Sequence, residues 1–418
     1  MAQERLGILV GGGPAPGING VIASASIEAL NRGLRVIGIY DGYEHIARGD
    51  SSQVTDLELD DVSRIHATGG SILRTSRTNP AKDEATLARC VESLLALDLR
   101  YLIAIGGDDT TYGATKIAER TAGRIGIATV PKTIDNDLPL PDNAPTFGFE
   151  TARAVGAGIV ENLMEDARTA SRWYLAVTMG RKSGSLALGI CKASGATLAI
   201  IPEEFPAGTI QLASIVDTIV GAIVKRSASG RDHGVAVIAE GFVERLSPAD
   251  LATMSDASRD AYGNVRLAEI PIGSVLRDAV RERLKALHVE RTVVPKDIGY
   301  ELRCAKPVPF DVEYTRTLGY GAVRYLLKGG SGALIALSGG RVQPVTLDEL
   351  LDPATGRVRI RMVDIATESY AVAREYMIRL ELEDLREPNL SRLSAETNLS
   401  PAEFALQFER LFATAAAR

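Results

Sequence analysis

The chain has 418 residues, more than one ordinary hydrophobic core serves, so two or three domains are expected. Hydrophobic residues make up 45% and charged residues 24%, the balance of a globular chain rather than a disordered or fibrous one. A net charge of −6 argues against indiscriminate nucleic-acid binding, and an anionic ligand would have to be met by locally gathered Arg and Lys.

The opening Met1-Ala2-Gln3-Glu4-Arg5 lacks the apolar core of a signal peptide. No uncharged apolar run approaches the roughly 20 residues that span a bilayer, so no membrane partner is expected. Leu6–Val10 reads as a short apolar strand. The glycines at 11, 12 and 13 turn the chain into Gly17-Ile18-Asn19-Gly20 and an Ala- and Ile-rich helix to Asn31. Gly33 stops that helix, and Leu34–Tyr40 reads as the next strand. This βαβ opening invites a dinucleotide-binding reading, but position 16, where GxGxxG needs its last glycine or alanine, is Pro16. A P-loop is also excluded, because the chain contains no Gly-Lys dipeptide. The cluster therefore fits either a ligand loop or a plain strand–turn–helix connection.

Gly69–Arg77 is a polar loop in which Arg74 and Arg77 face an unknown target or simply solvent. Residues 84–98 form an amphipathic helix with Leu87, Cys90, Val91, Leu94 and Leu95 on one face. Two strands then end in chemistry. Tyr101–Ile105 runs into Gly106-Gly107-Asp108-Asp109-Thr110, and a helix follows from about Tyr112 to Thr121. Ile125–Val130 ends at Pro131 and delivers Lys132-Thr133-Ile134-Asp135-Asn136-Asp137. In an open α/β sheet, ligands bind just beyond the carboxyl ends of strands. Glycines admit close backbone approach, and exposed N–H groups cradle phosphate. Carboxylates beside phosphate repel it unless a hard divalent cation such as Mg2+ lies between. These residues point to metal-assisted phosphoryl transfer. Asp is also common after strands as a turn or cap residue, which explains any one of these carboxylates but poorly explains the set with Lys132.

Leu138–Pro145 is turn-rich, and a long helix, Thr151–Thr169, is the candidate crossing into a second domain. Arg172–Val177 is that domain's first strand, ending at Met179-Gly180-Arg181. Ser183 begins a helix, Ala196–Ile201 is a strand, and Val235–Ala239 ends at Glu240. A strand-end carboxylate suits sugar hydroxyls, or a helix cap. Leu246–Gly263 reads as a polar surface excursion and Ala279–Leu287 as helix. Asp297–Arg303 reads as a strand returning to the first domain. Residues 316–328 are helical and Ala333–Leu337 completes the sheet. Val358–Val363 alternates like an edge strand, and helices close the chain at about Thr367–Leu382 and Pro401–Ala416. Cys90, Cys191 and Cys304 have no metal or redox spacing and read as reduced thiols of a cytoplasmic protein. The four histidines are scattered, and none is assigned to a metal.

GGDDT followed by PKTIDND resembles the active-site pair of the phosphofructokinase family, in its pyrophosphate-dependent branch. Gly11–Gly17, Gly69–Arg77, Met179-Gly180-Arg181 and Gly299-Tyr300-Glu301-Leu302-Arg303 match in order, so the resemblance runs from about Leu6 to Leu337. It implies two α/β domains, each a mainly parallel sheet between helices, with the site in the cleft at their strand ends. The donor domain would be 1–150 with 304–345, the sugar-phosphate domain 151–303, and 346–418 a mostly helical extension. The implied reaction is reversible transfer of phosphate from Mg2+-complexed pyrophosphate to the 1-hydroxyl of fructose 6-phosphate, giving fructose 1,6-bisphosphate and phosphate.

The resemblance assigns Asp135 as base, Asp108 as Mg2+ ligand, and Lys132 and Arg181 to the reacting phosphates. Gly12, Gly13, Arg77, Asp109 and Thr110 would line the donor site. Thr133, Ile134, Met179, Gly180, Glu240, Tyr300, Glu301 and Leu302 would line the substrate site, with Arg172 and Arg303 on the sugar's 6-phosphate. Two positions depart from the family. Pro14 stands where Asp is common, and Val294 where ATP-using relatives carry an arginine, which leaves Lys296 as a 6-phosphate ligand. The arginine at the place of Arg172 enters a neighbour's site in the family, so a homodimer or larger homo-oligomer is implied. The rival readings are an ATP-dependent phosphofructokinase, a kinase accepting sedoheptulose 7-phosphate, and a non-catalytic regulatory subunit that binds sugar phosphates.

Overall fold

Apolar runs broken by glycine turns give eleven strands among the described residues. In chain order they are β1 Arg5–Val10, β2 Arg35–Ile39, β3 Val54–Asp56, β4 Tyr101–Gly106, β5 Gly126–Pro131, β6 Arg172–Thr178, β7 Leu198–Ile200, β8 Gly234–Ala239, β9 Thr292–Ile298, β10 Ala333–Ser338 and β11 Arg341–Thr346. The structure is a computed structural model and describes residues 3–253, 270–354 and 358–412. The chain divides into two units, Met1–Val155 with Tyr300–Arg361, and Gly156–Gly299 with Met362–Arg418.

The first unit holds a seven-stranded sheet in the order β11-β10-β5-β4-β1-β2-β3. Its central pairs are parallel, and β3 and β11 close the edges antiparallel to β2 and β10. Both faces are covered, so the strands read as continuous apolar runs rather than alternating ones. Ile8, Val10, Ile103, Ile105, Ala128 and Val130 pack against the helices Ile18–Asn31 and Pro309–Leu327. Leu9, Leu102, Ala104 and Ile127 face the helices Glu84–Ala96 and Asp108–Thr121. The second unit holds a four-stranded, wholly parallel sheet, β7-β8-β6-β9. Three of its strands, β6, β7 and β8, are buried almost end to end, with Trp173, Leu175, Ala176 and residues 235–238 at 0% exposed, while the edge strand β9 buries only Val293 and Ile298.

Three expectations differ from the structure. Asp297–Arg303 is not one strand, because β9 stops at Ile298 and Tyr300–Arg303 is a helical turn beyond Gly299. Among the described residues, Val358–Val363 pairs as a strand nowhere beyond a single bridge between Leu351 and Val358. The helix expected at about Thr367–Leu382 ends at Glu375, and Leu382 opens a separate short turn to Leu385; the helix Leu212–Ser227, which no expectation covered, lies buried in the second unit. From residue 254 to Gly263 the polar excursion lies outside the described residues, as do positions 413–416 of the last helix.

The tail beyond Arg361 packs on the second unit. Phe404 and Phe408, one turn apart in the helix Pro401–Phe408, are both 0% exposed. Ile378 N–H donates to the Thr197 carbonyl at 2.9 Å, and Lys225 Nζ meets Asp384 Oδ2 at 2.6 Å. Arg283 and Arg410 both pair with Asp217, a carboxylate 1% exposed. Among the described residues, no helix is long and apolar enough to cross a membrane.

Candidate active site

β1, β4 and β5 lie side by side, with Val10 opposite Ile105 and Gly106 opposite Pro131, so their carboxyl ends open at one edge. Gly11, Gly12 and Gly13 leave β1 there. Gly12 takes a left-handed φ of 82°, and its N–H donates to the Ser76 carbonyl at 2.7 Å, tying the glycine loop to the loop that carries Arg77. Thr75 Oγ1 donates to the Gly12 carbonyl at 2.6 Å. Of the two arginines in that loop, Arg74 has a structural task. It pairs with Asp41 at 2.5 Å and stacks over Tyr40, its Cζ 4.8 Å from the ring centre. Arg77 is exposed and close enough to Lys132 to act on its charge.

Lys132 is the centre of this group. It is 5% exposed, and its ammonium donates to the Gly13 carbonyl. A methyl carbon on Gly12 would sit 3.1 Å from Nζ, and one on Gly13 would strike the Arg303 guanidinium. Glycine at 12 and 13 is thus what lets both cations reach the loop. Burial lowers the Lys132 pKa to about 8. Arg303 and Arg77 push it the same way, while Asp135 and Asp108 hold it up. Two further cations and two carboxylates therefore act on Lys132 beside the glycine loop, an arrangement that suits a compact polyanion.

Asp108 and Asp109 open the helix Asp108–Thr121, whose N-terminal dipole favours negative charge. Asp109 N–H donates to Asp108 Oδ1 at 2.9 Å, and the Asp109 residue is exposed. Thr110 is buried against Gly11 and Gly106, where an added methyl would collide with its side chain, so it packs the glycine turns. After β5, Asp135 N–H donates to Thr133 Oγ1 at 3.1 Å. Thr146 Oγ1 reaches back to the Thr133 carbonyl at 2.7 Å. Asn136 adopts a left-handed φ of 57°, and its Oδ1 accepts from Thr146 N–H at 3.1 Å. Ile134 is buried and anchors the loop.

In the second unit, β6, β8 and β9 also end in register, Thr178 opposite both Ala239 and Ile298. Met179-Gly180-Arg181, Glu240 and Gly299 follow directly. Gly180 N–H donates to Glu240 Oε1 at 3.3 Å, and Gly180 itself takes a φ of 129°. Burial raises the Glu240 pKa; the Gly180 N–H and Arg181 pull it back down, while Glu244 and Asp297 add to the rise. Met179 fills the space beside Gly299. Lys296 is partly buried and sits opposite Ala176, two residues short of the end of β9.

Arg172 is not with them. It opens β6, at the other end of the strand from Met179, roughly 20 Å away at 3.3 Å per residue. Its Nε lies 3.7 Å from Asp166, whose carboxylate also accepts from Tyr174 at 2.5 Å. Arg303 belongs to the first unit, against Gly13, with its guanidinium 5.6 Å from the ring centre of Tyr300. Tyr300 is 80% exposed and Leu302 is buried. Glu301 is exposed on the same turn. Sequence reasoning missed Thr146, Glu203 and Arg361. Each works by holding a loop, and none belongs to a motif.

The family profile described as Phosphofructokinase matches residues 5–326. The chain is 53% identical over 407 residues to the pyrophosphate–fructose 6-phosphate 1-phosphotransferase of Thermotoga maritima, covering 96% of this chain and 97% of that protein. To the protein of the same name from Naegleria fowleri it is 48% identical over 416 residues, 97% of this chain and 95% of the other. The fold matches phosphofructokinase from Saccharomyces cerevisiae with a TM-score of 0.66 at 19% identity, covering 98% of this chain and 50% of that one, so the chain spans half the length of the yeast protein. This chain is a member of the phosphofructokinase family, in its pyrophosphate-dependent branch.

Proposed function

We propose that the chain transfers phosphate reversibly between pyrophosphate and the 1-hydroxyl of fructose 6-phosphate. The observation that carries this reading is the buried Lys132, its ammonium on the Gly13 carbonyl and Arg303 beside it. Phosphoryl transfer asks mainly for positioning and charge stabilisation, which these groups supply. Gly12 and Gly13 let the donor approach, Lys132 and Arg77 offset its charge, and Arg303, expected on the sugar's 6-phosphate, lies against Gly13 and would act on the donor instead. Asp135 accepts the proton of the 1-hydroxyl, work worth roughly 10²–10⁴-fold in rate. Arg181 holds a reacting phosphate, Glu240 the sugar hydroxyls, and Lys296 the 6-phosphate.

Mg2+ ordinarily takes one or two carboxylates together with phosphate oxygens and water. No group of three or more His, Cys, Asp or Glu side chains forms a cage among the described residues, and a Mg2+ donor set of this kind needs none. Asp108, at a strand end beside Lys132, fits that set and would hold the ion. Bound there, Mg2+ would neutralise charge on the donor oxygens.

The distance along β6 between Arg172 and Met179 supports a homodimer or larger homo-oligomer, in which Arg172 serves a neighbour. A cytoplasmic location accords with three free cysteines, two of them buried. The test is a coupled assay of the purified chain with Mg-pyrophosphate and Mg-ATP side by side. Turnover with pyrophosphate supports the reading, and turnover with ATP alone overturns it.

A further inference from the structure

Residues Ile360, Arg361 and Met362 invert the usual logic of an extended segment. Ile360 and Met362 are each 43% exposed, and the charged residue between them is the one turned in. Val358 packs on the cluster of Leu138, Leu140 and Leu334, but from 360 to 362 no apolar side chain holds the strap down. Arg361 does, and everything it grips belongs to one loop. Its Nε donates to the Asn136 carbonyl at 2.9 Å and Nη1 to the Ala144 carbonyl at 2.8 Å. Nη2 donates to Asn136 Oδ1. Its main-chain N–H donates to the Asp137 carbonyl at 2.8 Å.

These bonds act on the residues next to Asp135. Asn is among the residues that enter the left-handed region most readily, and at Asn136 the side chain and carbonyl are both held from outside. Thr146 supplies one donor and Arg361 two more. On the other flank, Thr133 holds the Asp135 N–H. Further along the chain the backbone is held again. Val363 N–H donates to Glu203 Oε1 at 3.1 Å, the same oxygen that accepts Gly184 N–H at 2.8 Å.

We infer that Arg361 is a positioning residue for the reaction: by clamping Asn136, Asp137 and Ala144 it sets the direction in which Asp135 is presented. It lies beyond residue 326, where the family profile ends, in a stretch whose alternation resembles an edge strand. The inference rests on Asp135 being the base. A planar fork with five fixed donors suits the task, and lysine, a point charge, reproduces only part of it.

The test compares full-length Arg361→Lys, Arg361→Ala and Asp135→Asn with the parent, using pyrophosphate and fructose 6-phosphate. A displaced reacting group costs on the order of 10- to 100-fold in rate. Both Arg361 variants should lose kcat by that amount, the alanine variant more, with both KM values kept within about twofold. Millimolar guanidinium should restore part of kcat to Arg361→Ala and none to Asp135→Asn. Unchanged kcat in both Arg361 variants, beside an inactive Asp135→Asn, overturns the positioning role alone. So does a loss that follows lowered melting temperature in both variants and resists guanidinium. Near-normal turnover of Asp135→Asn overturns the base assignment, and the positioning role with it.

Discussion

The Lys132 ammonium donates to the Gly13 carbonyl, joining the end of β5 to the glycine loop after β1. Burial makes that charge costly, lowering its pKa from 10.5 to about 8. The charged form is the useful one toward pyrophosphate. We predict that kcat/KM for pyrophosphate, which reports the free enzyme, falls as pH rises through about 8. Stability runs the other way. Between about 8 and 10.5 the unfolded chain binds the proton that the folded chain has released, so stability rises with pH across that window. Below about 8 the full cost is present, about 3 kcal/mol at 1.36 kcal/mol per pKa unit. Lys132→Met should therefore melt higher than the parent at neutral pH while losing pyrophosphate turnover. A profile for the parent that stays flat to pH 10, with no gain in melting temperature, would refute this reading.

Asp135 follows Thr133 and Ile134 at the end of β5, and its N–H is held by Thr133 Oγ1. Asp135→Asn keeps the size and most of the polarity of the side chain but removes the proton acceptor. We predict that kcat falls at least roughly a hundredfold with KM for fructose 6-phosphate little changed. Steady-state kinetics on the folded variant decide the matter, and a kcat near that of the parent excludes Asp135 as the base.

The strand ends that build the candidate site are legible in the sequence because each couples an apolar run to a glycine turn. β4 into Gly107 and β5 into Lys132 need nothing distant to be recognised. The misread segments fail for one physical reason. Alternation reports an extended backbone, not a hydrogen-bonded partner, so Val358–Val363 looks like an edge strand when it is a strap held by Arg361. Asp297–Arg303 fails similarly: Gly299 lies within an extended-looking run, but the chain turns there into Tyr300–Arg303. The helix Leu212–Ser227 went unread because ten of its sixteen residues are buried, which blurs the amphipathic period. Loop-holding residues such as Arg361 and Glu203 carry no motif, because most of their partners are main-chain atoms of segments distant in the sequence.

Arg172 opens β6 and pairs with Asp166, while Met179 and Gly180 stand beyond its other end. In one chain, Arg172 and Gly180 flank opposite ends of the same strand. We predict that Arg172 serves a neighbouring subunit's sugar phosphate while Asp135 serves its own. Mixing inactive Arg172→Ala with inactive Asp135→Asn subunits should then restore part of the activity, because hybrids contain one intact composite site. Subunit exchange is followed with tagged chains. Hybrids that form and stay inactive would show the site is not shared.

Asp109 stands exposed in the first turn of Asp108–Thr121, and Lys132 is buried beside Gly12. The family resemblance implies that ATP-using relatives carry glycine at both positions, which would leave room beside the two outer phosphates for an α-phosphate and a nucleoside. Here the Asp109 carboxylate would meet that α-phosphate with like charge. Because Asp109 is exposed, a water-like dielectric applies, and two unit charges about 4 Å apart repel by roughly 1 kcal/mol. That disfavours ATP about fivefold before any steric clash adds to it. Pyrophosphate has no α-phosphate and escapes both penalties, while Lys132 compensates its charge. We predict turnover with Mg-pyrophosphate and little or none with Mg-ATP. Asp109→Gly should raise ATP use at least about fivefold, and adding Lys132→Gly should weaken pyrophosphate use further. Parallel kcat/KM values for the two donors in the parent and both variants test this. An unmodified enzyme that prefers ATP at equal concentration, or an Asp109→Gly variant with no gain toward ATP, would mean that these two residues do not select the donor.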